Sequence, residues 1–250
     1  MAACPDCDGL EPNAECGRCA GSGVVCARCK GTGYVYRQSP EGRAVAVECA
    51  CDKIAQRRAA VLWPFLARYS SLRGELLAKT FENFQLRDGR PAVKQARDAA
   101  QSFSRKPKGW LVLNGYPGTG KTHLSAAIAN ALLARSRQPV LFLNVPELLV
   151  FLRAGFQTRD GRDPDFESRL QTIKGFPVLI LDDWGAHSDT PWADEQLYLI
   201  LNFRTERVLP TVITTNVPLE ELEPRIESRL RNRHLSMVIE IGAQDYRRED

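Results

Sequence analysis

Residues 115–122 read Gly-Tyr-Pro-Gly-Thr-Gly-Lys-Thr, and they constrain the fold more than any other part of the chain. The spacing Gly-x-x-x-x-Gly-Lys-Thr is typical of a loop whose glycines let successive backbone N–H groups converge on phosphates. In such a loop the lysine places a positive charge on the β and γ phosphates, and the threonine hydroxyl can ligate Mg²⁺. The pattern predicts a nucleotide site; the alternative is a chance match in a glycine-rich loop.

The sequence on either side of this phosphate loop supports the prediction. Residues 110–113 form a short apolar run, as in a buried parallel strand. Residues 123–133 are rich in Ala and Leu and lack Gly and Pro, so they predict a helix whose N-terminus faces the phosphates. The residues expected to bind the nucleotide here are Gly115, Tyr116, Pro117, Gly118, Thr119, Gly120, Lys121, Thr122 and His123.

Bulk properties narrow the class of protein. The 250 residues leave room for one sizeable domain and a smaller one. A net charge of +4 permits contact with nucleic acid without arguing for it. The N-terminal residues lack the pattern of a secretory signal, and the apolar runs are too short to cross a bilayer. We therefore expect a cytoplasmic protein that does not contact membranes.

The eight cysteines lie within the first 51 residues, in four closely spaced pairs. In the cytoplasm, cysteines are more often metal ligands than disulfide partners. Two thiolates in a tight knuckle can bind one side of a tetrahedral Zn²⁺, and a second pair completes the site. The pattern predicts two zinc ions; the alternatives are a redox dithiol set or an iron–sulfur cluster. The predicted zinc ligands are Cys4, Cys7, Cys16, Cys19, Cys26, Cys29, Cys49 and Cys51.

These four pairs can be combined in two ways. Consecutive pairing assigns the first two pairs to one zinc, whereas nested pairing joins the two inner pairs and the two outer pairs. The stretches Cys-Gly-Arg-Cys-Ala-Gly-Ser-Gly and Cys-Ala-Arg-Cys-Lys-Gly-Thr-Gly resemble the repeat of the DnaJ chaperones, in which pairing is nested. That resemblance is confined to these stretches. Consecutive pairing is favoured because it closes shorter loops.

Strand and helix patterns alternate after the phosphate loop. This alternation predicts a parallel sheet flanked by helices, with its ligand at the carboxyl ends of the strands. Before the loop, residues 54–73 read as an amphipathic helix and 92–104 as a second helix. The later predicted strands are 140–143, 176–183, 211–216 and 238–241, and the later predicted helices are 146–155 and 192–207.

Polar side chains follow two of these predicted strands. Asp182 and Asp183 end one apolar run, and Asn216 ends the next. We expect Asp182, together with Thr122, to hold Mg²⁺, and Asp183 to polarise the attacking water. Asn216 can reach the same water. The alternatives are a helix cap for the two aspartates and a turn residue for Asn216.

Four motifs occur in one order: the phosphate loop, Leu-Ile-Leu-Asp-Asp-Trp-Gly at 179–185, Ile-Thr-Thr-Asn at 213–216 and Arg-Ile-Glu-Ser-Arg-Leu at 225–230. Together they resemble the DnaC/DnaI-type replicative helicase loaders, a branch of the AAA+ ATPases that includes the IstB transposition helpers. The resemblance covers roughly residues 78–250 and implies ATP as the nucleotide. It also implies a P-loop AAA+ α/β sheet without a separate lid domain.

The cysteine pattern extends this resemblance, since Cys-x-x-Cys-x-Gly-x-Gly closing with Cys-x-Cys looks like the N-terminal part of many loaders. Its first two pairs go beyond the family pattern. We therefore expect a zinc-binding domain at 1–55, a helical linker at 56–77 and an AAA+ domain at 78–250.

The resemblance implies roles for two arginines and the asparagine. Arg229 matches the arginine finger that one subunit offers to its neighbour, and Arg247 matches the sensor-2 arginine that binds nucleotide in its own subunit. Asn216 matches the polar sensor. For either arginine the alternative is a surface salt bridge of small energy. A finger that acts in trans implies head-to-tail self-association when ATP is bound. The catalytic set is then Lys121, Asp183, Asn216 and Arg229.

The resemblance implies ATP-dependent loading of a hexameric DnaB-type helicase onto single-stranded DNA, with hydrolysis at subunit interfaces. The zinc module would bind the helicase. One alternative is an IstB-like transposase helper that acts on duplex DNA. Another is a nucleotide-switched DNA-binding adaptor with little turnover. No motif identifies the adenine pocket, and Phe81 and Phe84 are candidates only because they lie near the core.

Overall fold

The computed structural model describes Leu62 and residues 64–86, 91–136, 139–157, 164–186 and 190–242, together with the backbone of four short strands nearer the N-terminus. The chain divides into two compact units, residues 1–65 and 66–250. The strands of the first unit form two antiparallel pairs, β1 with β2 and β3 with β4. They are β1 (Ala2–Ala3), β2 (Val24–Val25), β3 (Tyr34–Gln38) and β4 (Ala44–Glu48).

The second unit alternates helices and strands, as the sequence predicts. Its strands are β5 (Trp110–Gly115), β6 (Val140–Asn144), β7 (Val178–Trp184), β8 (Thr211–Thr215) and β9 (Ser236–Ile241). Its helices are α1 (Pro91–Arg105), α2 (Lys121–Ser136), α3 (Val145–Ala154), α4 (Phe166–Lys174), α5 (Pro191–Glu206) and α6 (Pro224–Leu230). Short 3₁₀ turns occupy Gly74–Ala78, Gly155–Gln157 and Leu219–Glu221.

The five strands of this unit form one parallel sheet in the order β6-β7-β8-β5-β9. The predicted α/β class with a parallel sheet is therefore confirmed. After β5 the chain forms the edge strand β6 and returns through β7 to β8, which pairs with one side of β5. Strand β9 then pairs with the other side of β5. A ligand of such a sheet binds outside the carboxyl ends of the strands, at the point where the strand order reverses. The phosphate loop follows β5 directly, so it lies at that place.

Helices cover the sheet, and this explains why its strands are continuous apolar runs. The central residues of β5 and β7, such as Val112 and Ile180, are fully buried. Helix α2 is buried in its central turns, where Ala126, Ala127 and Ala129 pack into the core. Trp110 is buried as well, and its indole N–H donates to the Leu209 carbonyl at 3.1 Å.

Side-chain caps fix the starts of several helices. Asn144 and Thr190 cap α3 and α5, each followed by a proline in the first turn. The side chains of Asp165 and Glu223 likewise cap α4 and α6, and the sequence analysis predicts neither of these two helices. In the described part of the chain, no helix is long and apolar enough to span a bilayer.

The helix predicted over 54–73 is wrong at its C-terminal end. Residues 64–69 are helical, whereas 54–61 and 63 lie outside the described residues. Helical hydrogen bonding stops because the backbone N–H of Ser71 donates to the Phe142 carbonyl at 2.8 Å, which ties the segment to the end of β6. Gly74 then takes a left-handed φ of +57° and begins the first 3₁₀ turn.

Candidate nucleotide-binding site

A cavity of about 760 Å³ opens at the carboxyl ends of the strands. Residues 117–123 of the phosphate loop and of α2 form one wall, and Asp182, Asp183, Thr214 and Asn216 form another. Motifs that are far apart in the sequence thus meet at one place, as a parallel sheet requires. Gly115 and Tyr116 instead line a smaller neighbouring cavity of about 280 Å³, which Asn216 also borders.

The phosphate loop has a shape that its glycines allow. Gly118 and Gly120 have φ values of +78° and +89°, which side-chain-bearing residues rarely adopt. A Cβ atom on Gly120 would also lie only 2.7 Å from the Phe84 ring. Thr119 closes the turn by donating from its hydroxyl to the Tyr116 carbonyl at 2.9 Å. The loop then runs straight into the first turn of α2, and the N–H groups at a helix N-terminus suit an anion.

Lys121 lies along the inside of this loop and is only 8% exposed. Its Nζ donates to the carbonyl oxygens of Gly115 at 2.6 Å and Tyr116 at 2.8 Å. The same ammonium group borders the cavity, so a phosphate oxygen entering there meets a positive charge that is already in place.

Asp182 is the buried acid of the site, with 4% of its surface exposed. Its Oδ1 accepts hydrogen bonds from the hydroxyls of Thr214 at 2.7 Å and Ser125 at 3.2 Å. The pKa of Asp182 is raised, mainly because the carboxyl group is buried. Hydrogen bonds from the Thr214, Thr122 and Ser125 hydroxyls oppose this rise, and the nearby Asp183 charge adds to it. A cation close to this carboxylate would favour its charged form.

The oxygen groups here fit a magnesium ion. The Thr122 hydroxyl is exposed to the cavity rim and hydrogen-bonds the Asp182 carboxylate. Hard oxygen ligands of this type, few in number, suit Mg²⁺ that shares its shell with phosphates and water. Within the described ranges, no cluster of three or more His, Cys, Asp or Glu side chains could hold a metal by itself.

Asp183 and Asn216 are more accessible than Asp182. Asp183 is half-buried, and its backbone has a left-handed φ of +61°. Its N–H donates to the Thr214 hydroxyl at 3.0 Å. Asn216 is exposed just past the end of β8. Both side chains border the cavity, where a water molecule bound beside a phosphate would be within their reach.

His123 joins the start of α2 to the segment before α1. Its Nε2 donates toward the Thr80 carbonyl at 2.8 Å and lies 3.0 Å from Asn83 Oδ1. Burial is the main reason that the pKa of His123 is lowered, and the Thr80 carbonyl opposes that change in part. The Phe84 ring packs edge-on against the imidazole.

The far wall of the cavity comes from residues that the sequence analysis missed. They lie in and around the first 3₁₀ turn, and they are Ser71, Glu75, Leu76 and Lys79. Asn130 of α2 holds this segment by donating to the carbonyls of Leu76 and Lys79 at 2.9 and 2.8 Å. Phe81 and Phe84 instead pack in the hydrophobic core and do not line the cavity. No motif in the sequence marks this wall, because it depends on tertiary contacts.

Arg229 lies on α6 and does not line the cavity of its own chain. Its guanidinium donates to the Tyr198 hydroxyl at 2.8 Å and to Asn202 Oδ1 at 2.6 Å, and it lies over the Tyr198 ring at 4.4 Å. Its buried Nε has no partner among the described residues. Arg247 and the eight predicted zinc ligands lie outside the described residues, so their roles remain predictions.

Comparison with known families and sequences places these features in context. The model of the family described as IstB-like ATP binding protein matches residues 55–249. A model described as Domain of unknown function (DUF7895) matches residues 12–74. The replicative helicase loader DnaI of Bacillus subtilis (strain 168) is 36% identical over 156 residues, which are 61% of this chain and 48% of that protein. The replicative helicase loader DnaC of Escherichia coli (strain K12) is 27% identical over 156 residues, which are 62% of each.

The match therefore spans about half to three-fifths of the length of these relatives. Among solved structures, the crystal structure of DnaI aligns with a TM-score of 0.56 at 31% identity, covering 70% of this chain and 94% of that one. The crystal structure of the DnaC helicase loader aligns with a TM-score of 0.56 at 23% identity, covering 68% and 99%. At that identity the second likeness concerns the fold alone.

Proposed function

Because this chain belongs to the IstB-like ATP binding protein family, we propose that it is an ATPase that loads a replicative helicase onto single-stranded DNA. The observation that carries the ATPase part is the set of groups around one cavity: the phosphate loop, a buried aspartate and a more accessible aspartate. The loader part is supported by likeness to two proteins named replicative helicase loaders.

The cis half of the site, formed by the phosphate loop, Asp182, Asp183 and Asn216, supplies the groups for hydrolysis. The loop N–H groups and Lys121 bind the phosphates, and Lys121 exchanges its carbonyl partners for phosphate oxygens. Thr122 and Asp182 would hold Mg²⁺, which neutralises charge on the β and γ phosphates when it is bound. The oxygen of a water aligned by Asn216 bonds to the γ phosphorus while Asp183 accepts one of its protons. The bond between the γ phosphorus and the bridging oxygen breaks, and ADP leaves.

The trans half of the site would come from Arg229 of a neighbouring subunit. This arginine lies away from the cavity of its own chain, and α5 holds it from one side through Tyr198 and Asn202. A cation brought to the γ phosphate would stabilise charge in the transition state. A head-to-tail contact that delivers it would build a ring or a spiral.

An aromatic surface supports contact with single-stranded DNA. Phe156 is 59% exposed and stacks on Phe166 with ring centroids 4.2 Å apart. Trp192 lies beside Phe156, and the Arg153 guanidinium covers the Trp192 ring at 4.8 Å. Aromatic faces next to a cation suit unpaired bases and a phosphate backbone. We place single-stranded DNA on this surface.

The zinc and helicase parts of the proposal rest on the cysteine segment. Four Cys pairs in the first 51 residues would hold two zinc ions, and this segment would bind a DnaB-type helicase. A chelator should then release zinc and abolish co-purification with the helicase. The full-length double variant Cys26→Ser with Cys29→Ser should do the same. Unchanged zinc content and unchanged helicase binding in either case would contradict this part.

ATP turnover with and without single-stranded DNA tests the enzymatic part. We expect turnover in the wild-type protein, stimulated by the DNA or the helicase, and none in Lys121→Ala. If wild type and Lys121→Ala bind ATP differently and both lack turnover with every partner, the protein is a nucleotide-switched adaptor.

A second candidate is the IstB-like transposase helper that the sequence resemblance leaves open, since the matched family model is described as IstB-like ATP binding protein. Such a helper would act on duplex DNA. Affinities for single-stranded and duplex DNA of equal length, measured with ATP at one fixed salt concentration, distinguish the two functions. Preference for the duplex would favour the transposase helper.

A further inference from the structure

Strand β7 contains one extra residue relative to β8 at the position of the two aspartates. Leu181 pairs with Ile213 and Trp184 pairs with Thr215, so Asp182 and Asp183 together lie opposite Thr214. A bulge of this kind disrupts the backbone ladder and redirects side chains, often next to active sites. Asp183 also has a left-handed φ of +61°, which costs free energy in a residue other than glycine. The surroundings must therefore hold this conformation.

The Thr214 hydroxyl contacts both residues of the bulge. It accepts a hydrogen bond from the Asp183 backbone N–H at 3.0 Å and donates one to Asp182 Oδ1 at 2.7 Å. A hydroxyl has one proton to donate, so these two bonds fix its direction. Thr214 is 1% exposed, and water has little access to replace either contact. One side chain thus fixes the orientation of the Asp183 peptide and of the Asp182 carboxylate.

The neighbouring threonines of β8 behave differently. The Thr211 hydroxyl donates to the Leu209 carbonyl and accepts from Arg204 Nε. The Thr215 hydroxyl donates to the Trp184 carbonyl and accepts from the Val217 N–H. These are ordinary contacts of buried threonines in a sheet. Thr214 instead bonds to the two residues that the proposed reaction uses, which separates it from a hydroxyl that is only satisfied by the core.

We propose that Thr214 is a positioning residue that fixes Asp182 and Asp183 relative to each other. Although Thr214 borders the cavity, its hydroxyl is engaged by the two aspartates, so it would act through them and not on the nucleotide or the attacking water. Without the hydroxyl, the Asp183 N–H loses its acceptor and the bulge loses its restraint, whereas Asp182 keeps the bonds from Ser125 and Thr122. Asp183 should then move from the attacking water, and Asp182 should bind Mg²⁺ less well. This inference rests on the proposed ATPase function.

The test uses full-length Thr214→Val, which removes the hydroxyl at nearly constant volume, and Thr214→Ser, which keeps it. Thr215→Val is the matched control, because it removes a buried hydroxyl one residue away. We expect Thr214→Val to lower kcat for ATP by about tenfold or more with KM changed less than about twofold, since the loss concerns the transition state. Thr214→Ser should recover most of kcat, and Thr215→Val should keep the wild-type ratio of kcat to KM.

A binding measurement separates this inference from the proposed function. The affinity for a fluorescent ATP analogue is measured as Mg²⁺ is varied, with Lys121→Ala as the negative control. Thr214→Val should need several times more Mg²⁺ for half-maximal binding, with Mg²⁺-free binding unchanged, because only the metal ligand has moved. If the wild type shows no turnover, the ATPase proposal fails and this readout still tests Thr214.

Two results would overturn the positioning role. One is a Thr214→Val protein with wild-type kcat and wild-type Mg²⁺ dependence. The other is a folded Thr214→Ser protein that loses as much kcat as Thr214→Val, since the retained hydroxyl would then be irrelevant. Thermal denaturation of all variants identifies any that fail to fold, and Thr214→Ser keeps the test decisive if Thr214→Val is one of them.

Discussion

The cis half of the proposed site and Arg229, its trans half, are held in different ways. The cis half is fixed by backbone: loop carbonyls hold Lys121, and a bulge in the sheet carries the two aspartates. Arg229 is held by two side chains of another helix at a half-buried position. The cis half is therefore organised by the folding of one chain, whereas Arg229 can act only if a second copy arrives.

The largest expected effect is on the cis half. Lys121→Ala removes the positive charge on the phosphates, so ATP affinity and turnover should each fall by about a hundredfold or more. Isothermal titration with ATP and a steady-state phosphate-release assay measure the two quantities. Lys94→Ala, an exposed lysine on α1, is the control and should behave like the wild type. Turnover in Lys121→Ala close to that of the control would show that this cavity is not the catalytic one.

Removing the trans half should affect turnover and spare binding. Arg229→Ala should lower kcat by about ten- to a hundredfold with ATP affinity nearly unchanged, because the finger contacts phosphate only in an assembled interface. Arg231→Ala is the control just past the end of the same helix, where that residue pairs with Glu220 and Glu227 on the surface.

Mixing two inactive proteins sharpens the contrast between the halves. Lys121→Ala retains Arg229, and Arg229→Ala retains the phosphate loop, so some mixed interfaces carry both intact halves. Turnover of the mixture should exceed the sum of the two separate activities. A strictly additive result at every protein concentration would mean that Arg229 does not act between subunits.

The same contrast explains what the sequence could predict. The cis residues lie in contiguous motifs at strand ends, and a parallel sheet gathers strand ends at one edge. The sequence therefore predicts that Lys121, Asp182 and Asn216 lie close together. Arg229 was found only through a resemblance to a family. Its supports, Tyr198 and Asn202, carry no sequence signal because helical spacing merely places them on one face of α5.

Tertiary contacts account for what the sequence did not predict. The helix expected to reach residue 73 ends early because the Ser71 N–H donates to the Phe142 carbonyl of β6, which lies 71 residues further along the chain. The bulge at Asp183 also leaves no pattern, since it depends on the register between β7 and β8. Helices α4 and α6 did carry signals, in the caps Asp165 and Glu223, but both helices are short.

A smaller effect is expected from the residues that hold Arg229. Tyr198→Phe keeps the ring under the guanidinium and removes one hydrogen bond, while Asn202→Ala removes the other. Each should lower turnover by about two- to fivefold, in line with about 0.5–1.5 kcal/mol for one hydrogen bond. In the Arg229→Ala background, neither change should lower turnover further. Independent losses in the double variants would show that these side chains act elsewhere.

The smallest expected effect concerns pH and the His123 contact that supports the cis half. Burial lowers the pKa of His123 in the folded protein, so below its ordinary value of 6.5 the unfolded chain takes up more protons than the folded one. Stability contributed by the neutral imidazole is therefore present above that pH and is lost as the pH falls below it. Urea unfolding of wild type and His123→Gln at several pH values measures this. The advantage of the wild type should shrink from pH 7.5 to pH 5.5, and an advantage that grows on acidification would mean that the protonated ring is the one the fold stabilises.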